Sequence, residues 1–134
     1  MCWWALLVAT AWATPVTVTV IGAPSSDGQI LMSVWCDPDG WLDAAAGCRQ
    51  AGGPTIGAGA VLTVDLAPGT YALSAFHDAD GDGVMRVSWP IPIPKDPVAV
   101  SNNPKPRLGP PTWTSAAFVV GDAPIAMTIT LVTP

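Results

Sequence analysis

Glutamate is absent from the 134 residues, lysine occurs only at Lys95 and Lys105, and His77 is the one histidine. Glutamate and lysine are the residues with which helices fill their exposed faces. Aspartate, the only acid present, favours turns and caps, so the composition points to strands and turns. Proline (15) and glycine (13) interrupt the chain too often for a long helical pattern to survive. Five basic residues stand against ten acids, a formal net charge of -5. With no basic patch for phosphates, nucleic acid is not an expected partner. Nor is there an apolar run of the roughly 20 residues that a spanning helix needs, so no transmembrane anchor is expected.

The chain opens instead with a shorter apolar run, Met1-Cys2-Trp3-Trp4-Ala5-Leu6-Leu7-Val8-Ala9-Thr10. Ala11-Trp12-Ala13 then places small residues at the two positions a signal peptidase reads. Residues 1–13 therefore read as a signal peptide and residues 14–134 as a single exported domain, periplasmic or extracellular. The segment carries no Lys or Arg; either the amino terminus alone supplies its positive charge or the true start lies upstream. Cys2 precedes the apolar run, which is not where a lipid-bearing cysteine sits. Cleavage leaves Cys36 and Cys48 in a compartment that permits disulfides, and a bridge between them is expected. Closing that loop stabilises by about 3 kcal/mol in the chain-entropy model. The two thiols are too far apart for a redox Cys-x-x-Cys motif, and with only His77 to help they make a poor zinc set.

Residues 15–21 alternate Val16, Val18 and Val20 with Thr17 and Thr19, the period of a half-buried strand. The same period recurs in residues 29–35 (Ile30, Met32, Val34), 61–66 (Leu62, Val64, Leu66), 70–77 and 125–132 (Ile125, Met127, Ile129, Leu131). Residues 113–120 read as a further strand, and the glycine-rich residues 47–59 as a flexible passage. Eight prolines between residues 89 and 111 exclude a central strand there. That stretch reads as an extended crossover with a short edge strand at residues 98–100. Strands with no helix between them predict an all-β, antiparallel Greek-key sandwich of about seven strands.

Leu66-Ala67-Pro68-Gly69-Thr70-Tyr71-Ala72, Phe76-His77-Asp78-Ala79-Asp80-Gly81-Asp82-Gly83, Ser101-Asn102-Asn103, Gly109-Pro110-Pro111 and Ala117-Phe118 follow one another in a specific order and spacing. In these blocks the chain resembles the bacterial family known as domain of unknown function 2141, with a looser match through Gly28-Gln29-Ile30 and Trp41-Leu42. The resemblance implies an exported prealbumin-like β-sandwich and no catalytic activity. Two features depart from the family pattern: Arg86 stands where a further Asp usually completes the acidic loop, and the Cys36/Cys48 pair is an addition.

Asp78, Asp80 and Asp82, with Gly81 and Gly83 between and after them, have the spacing at which alternate side chains of a calcium loop converge while glycines permit the turn. The main-chain carbonyl of Val84 is the further expected ligand and calcium the expected cation. Arg86 and Trp89 occupy the ninth and twelfth positions, so the loop is not a complete EF-hand and weak affinity is expected. Replacing Arg86 by Asp is expected to strengthen it. The competing reading is an Asp/Gly turn with Arg86 as internal counter-ion. His77 beside Asp78 is not a catalytic pair, because neighbours on a strand point to opposite faces; a hydrogen bond to the Asn102-Asn103 turn or a backbone carbonyl is expected instead. The composite expectation is a non-catalytic exported module, a structural or binding accessory with a surface glycan or protein as partner. The alternative is a carbohydrate-binding module in which Trp89, with Trp41, offers a stacking platform.

Overall fold

The computed structural model describes residues 13–88, 93–105 and 109–133; the expected leader up to residue 12, and Trp89, lie outside them. The alternating valines form β1 (Thr14–Ile21), with Val16, Val18 and Val20 buried. β-Branched side chains at period two suit a pleated strand covered on one face. β1 lies between β4 (Ala60–Leu66) and β10 (Ile125–Thr130) in a three-stranded sheet. The second sheet has the order β3 (Arg49–Pro54), β2 (Gln29–Trp35), β5 (Gly69–Asp78), β8 (Val98–Val100), and β9 (Phe118–Val120) pairs with the start of β5. A two-residue hairpin of β6 (Val87–Ser88) and β7 (Ile93–Pro94) stands apart.

β1 neighbours β4 while the β2–β3 hairpin between them in sequence lies in the opposite sheet, which is Greek-key connectivity. The core forms between the sheets, with Val18, Leu62 and Ile129 from one and Ile30, Met32 and Leu73 from the other. The all-β sandwich expected from the sequence is the fold. Among the described residues no helix is long and apolar enough to cross a membrane.

Three local expectations are corrected. β1 and β10 pair in parallel, not antiparallel; strand period reports which face is buried but not strand direction. The glycine-rich passage contains β3, an edge strand whose bare backbone fits closely: a Cβ on Gly52 would lie 2.8 Å from Leu31 Cδ2. Residues 113–120 divide into one helical turn, α1 (Trp113–Ala116), and β9. Thr112 sets that break by capping the turn, its Oγ1 accepting from the Ser115 backbone N–H at 3.2 Å. The edge strand at residues 98–100 forms as expected. Val98 then exchanges two backbone hydrogen bonds with Val132, 3.0 and 2.9 Å, tying the second sheet to the chain just after β10.

At the start of β4 the backbone comes so near β1 that a Cβ on Gly59 would lie 1.6 Å from the Val20 carbonyl oxygen. Gly59→Ala must therefore push the two strands apart, at a cost of about 1–3 kcal/mol. Gly121, with nothing near its would-be Cβ, provides the control. Denaturant unfolding should show the loss for Gly59→Ala and little change for Gly121→Ala; equal stability of the two variants would refute the close approach.

Candidate functional site

The register of β5 on β2 sets Asp78 opposite Gln29 at the last residue of β5. Asp78 is 0% exposed, so protein donors must replace the water it loses. Its Oδ2 accepts from Gln29 Nε2 and from the Gly83 backbone N–H, each at 2.8 Å. Its Oδ1 is buried and has no hydrogen-bond partner. The chain then turns through Gly81 and Gly83, both at positive φ. Asp80 and Asp82 are exposed, and Asp82 Oδ1 accepts from the Val84 N–H at 2.9 Å. One carboxylate oxygen from each of Asp78, Asp80 and Asp82 lies within 4.8 Å of the others. Gly28 makes the arrangement possible: at φ +67° it sits so tightly under the turn that a Cβ would lie 2.0 Å from the Asp78 carbonyl oxygen.

Burial alone would push the Asp78 pKa up. The hydrogen bonds from Gln29 and Gly83 oppose it, and the pKa lies below the ordinary Asp value. Asp80 moves the other way. It is raised first by the Asp78 carboxyl beside it, then by desolvation and the charge of Asp82. Of the two, Asp80 therefore takes up a proton more readily as pH falls.

Arg86 is not the counter-ion of this turn. Its Nε and Nη2 donate to Asp96 Oδ1 at 2.9 and 2.8 Å, and its backbone N–H donates to Asp96 Oδ2 at 2.9 Å. Asp96 is 2% exposed, and this pair, with the Lys95 N–H donating to the Arg86 carbonyl, pins the segment that carries β6 and β7. The hydrogen bonds and charge of Asp96, with smaller help from Asp80 and Asp82, hold the guanidinium firmly protonated. Replacing Arg86 by Asp would thus put a second carboxylate against a buried one, so the change would disturb this pair as well as the charge near the turn.

The other sequence blocks prove to be fasteners. Ser101 is 0% exposed; its hydroxyl oxygen accepts from the Leu73 N–H at 3.1 Å and lies 2.6 Å from the Ala116 carbonyl, to which it donates. Asn102 and Asn103 both adopt positive φ. The Asn102 side chain donates to the Ala117 carbonyl at 2.9 Å. Asn103 donates to the Thr128 carbonyl and accepts from the Thr130 N–H, at 3.0 and 2.9 Å. One tripeptide therefore joins β5, the end of α1 and the open edge of β10. His77 is buried, with Nε2 2.7 Å from the Asp27 carbonyl; a carbonyl only accepts, so Nε2 carries a proton. Its partner is this backbone carbonyl and not the Asn102-Asn103 turn.

The family described as uncharacterized protein conserved in bacteria (DUF2141) matches residues 18–128. The chain belongs to that family. No curated protein and no solved structure matches it. The DUF2141 match runs from β1 into β10, so it takes in both sheets, the acidic turn and the Ser101-Asn102-Asn103 fastener.

At the opposite end of this DUF2141 sandwich Cys36 and Cys48 form a disulfide, Cα atoms 6.1 Å apart. The loop they close folds back through Trp41. Its ring packs edge-to-face with Trp35 at 5.1 Å and with Trp113 at 5.8 Å, and its Nε1 donates to the Pro111 carbonyl at 2.9 Å. Trp35 ends β2 and Gln29 begins it, which separates this cluster from the acidic turn by about 20 Å of strand. Trp41 therefore lies away from the acidic turn, while Trp89 is outside the described residues. Sequence reasoning also missed Gln29 as the donor to Asp78 and Asp96 as the partner of Arg86. Neither residue type advertises its role, because each depends on a long-range register.

Two substitutions check these assignments. Arg86→Asp should lower the melting temperature in chelator, and Asp96→Asn in that background should restore part of it; an unchanged melt would remove the pair from the account. Asn103→Ala deletes two backbone partners and leaves Ala at positive φ, so unfolding should cost less by about 1–3 kcal/mol.

Proposed function

We propose that the chain is an exported, non-catalytic β-sandwich module that serves as a structural or binding accessory in the periplasm or outside the cell. The observation that carries this reading is how the reactive side chains are used. His77, Asp78 and Ser101 are the groups a hydrolase would draw on, and each is buried with its hydrogen bonds directed into the framework. A general base must reach a substrate proton, and a nucleophile must be free to attack; groups tied down beneath the surface do neither.

Export draws support from two directions. β1 begins at Thr14, the residue after the expected cleavage point. The Cys36–Cys48 bridge suits an oxidising compartment. A carbohydrate-binding role draws no support from Trp35, Trp41 and Trp113, whose rings are taken up by one another. Expression with residues 1–134 in a bacterial host, followed by intact-mass analysis of the periplasmic fraction, should give a chain starting at Thr14 with one Cys36–Cys48 link on non-reducing peptide mapping. Retention of residues 1–13 in the cytoplasm, or two free thiols in exported protein, would sink the reading.

A further inference from the structure

We infer that the turn following β5 is a calcium site, built from Asp78 Oδ1, one carboxylate oxygen each from Asp80 and Asp82, and the main-chain carbonyl of Val84. It goes beyond the accessory reading, which would stand unchanged if the site failed. Two independent observations carry it. Three carboxylate oxygens converge within 4.8 Å, an arrangement of like charges that asks for a cation. Separately, Asp78 is wholly buried and saturates Oδ2 with two donors while Oδ1 is left with none. Buried oxygens almost always have a partner, and a buried carboxylate oxygen without any is costly. A bound cation is the partner that satisfies Oδ1 and neutralises its neighbours together.

The chemistry of the donors selects the ion. All are oxygens, with no imidazole or thiolate among them, which favours a hard cation over zinc or copper. The ligands come from a turn with two glycines at positive φ and exposed Asp80 and Asp82, which suits calcium's adaptable geometry better than the strict octahedron of magnesium. Arg86 is committed to Asp96 and does not fill the place. Its charge is nonetheless felt by Asp80 and Asp82 and opposes a second positive charge. Water completes the shell: an open groove of about 420 Å³ lined by Gly28, Gln29, Gly52, Gly53, Pro54 and Gly81 reaches the turn. Few protein ligands and a nearby guanidinium place the dissociation constant on the order of 10⁻⁴–10⁻³ M, the range of extracellular modules.

Because Asp78 belongs to β5 and Gln29 to β2, occupancy is linked to the sandwich and reads out as stability. Thermal melts of the mature chain in chelator and in about 10 mM calcium chloride should differ by about 6–12 °C, with calcium the higher. Magnesium chloride should give a smaller shift, and sodium chloride at matched ionic strength none. Asp80→Asn should do two opposite things: raise the melting temperature in chelator by relieving repulsion, and abolish the calcium shift. Asp82→Asn should abolish it too, while Asp65→Asn, on the outer face of β4, should keep it. Calorimetric titration of the wild type with calcium chloride gives the affinity directly. Coincident wild-type melts, an equal shift with sodium or magnesium, or a full calcium shift in both Asp80→Asn and Asp82→Asn would each overturn the site.

Discussion

β5 is covered on both faces, and a strand in that position has no water to satisfy its backbone or its polar side chains. Tyr71, Leu73 and Ala75 enter the core between the sheets, while Ala72 and Ser74 on the other face are buried as well. β2 pairs with it along one edge, but β8 and β9 reach only parts of the other. The gaps are closed by individual groups: the Pro97 carbonyl accepts from the His77 N–H, and Ser101 serves both the N–H and the carbonyl of Leu73. The obligation to pair every buried polar group thus dictates the path of the chain from residue 96 to residue 117. It also explains why Ser101, Asn102 and Asn103, which look like an ordinary turn in sequence, are placed so specifically.

Among the described residues the same obligation is left incomplete at the Thr55 hydroxyl and at Asp78 Oδ1. β5 runs one residue further than its apolar pattern, and that residue is Asp78, carried into the interior by its register with Gln29. Gln29 and Gly83 satisfy one oxygen and leave the other. Here the opposing charges have been separated: the arginine that sequence would assign to the acidic turn is held instead by Asp96, from a later segment. The turn therefore keeps an unbalanced cluster of carboxylates beside a buried, ionised group.

The two ends of the sandwich are thus built on different physics. One is closed by a disulfide and three edge-to-face tryptophans, a rigid apolar cap held by indole N–H donors on backbone carbonyls. The other is polar, glycine-rich and tightly threaded, with Gly28 pressed against the Asp78 carbonyl. Hydrogen-bond and charge demands remain open at the second end, whereas at the first they are closed within the chain.

Strand identity and inward face were legible because period-two alternation is a local property: Val16, Val18 and Val20, or Ile30, Met32 and Val34, show it without reference to any neighbour. The convergence of Asp78, Asp80 and Asp82 was equally legible, since spacing within six residues fixes which side chains share a side of a turn. The disulfide followed from counting. Strand direction was not legible, and β10 runs parallel to β1 because only the assembled sheets decide which edge it meets and which way. Nor were β3, whose glycines look flexible until Leu31 fills the space they leave, or the helical turn at α1. The partner of Arg86 and the donor to Asp78 depend on residues 10 and 49 positions away in the chain. Sequence by itself determined the class of fold and the acidic turn, both written in short-range pattern. Tertiary structure alone decided which charges meet, which polar groups are buried and which oxygen is left without a partner, because those depend on register between strands distant in sequence.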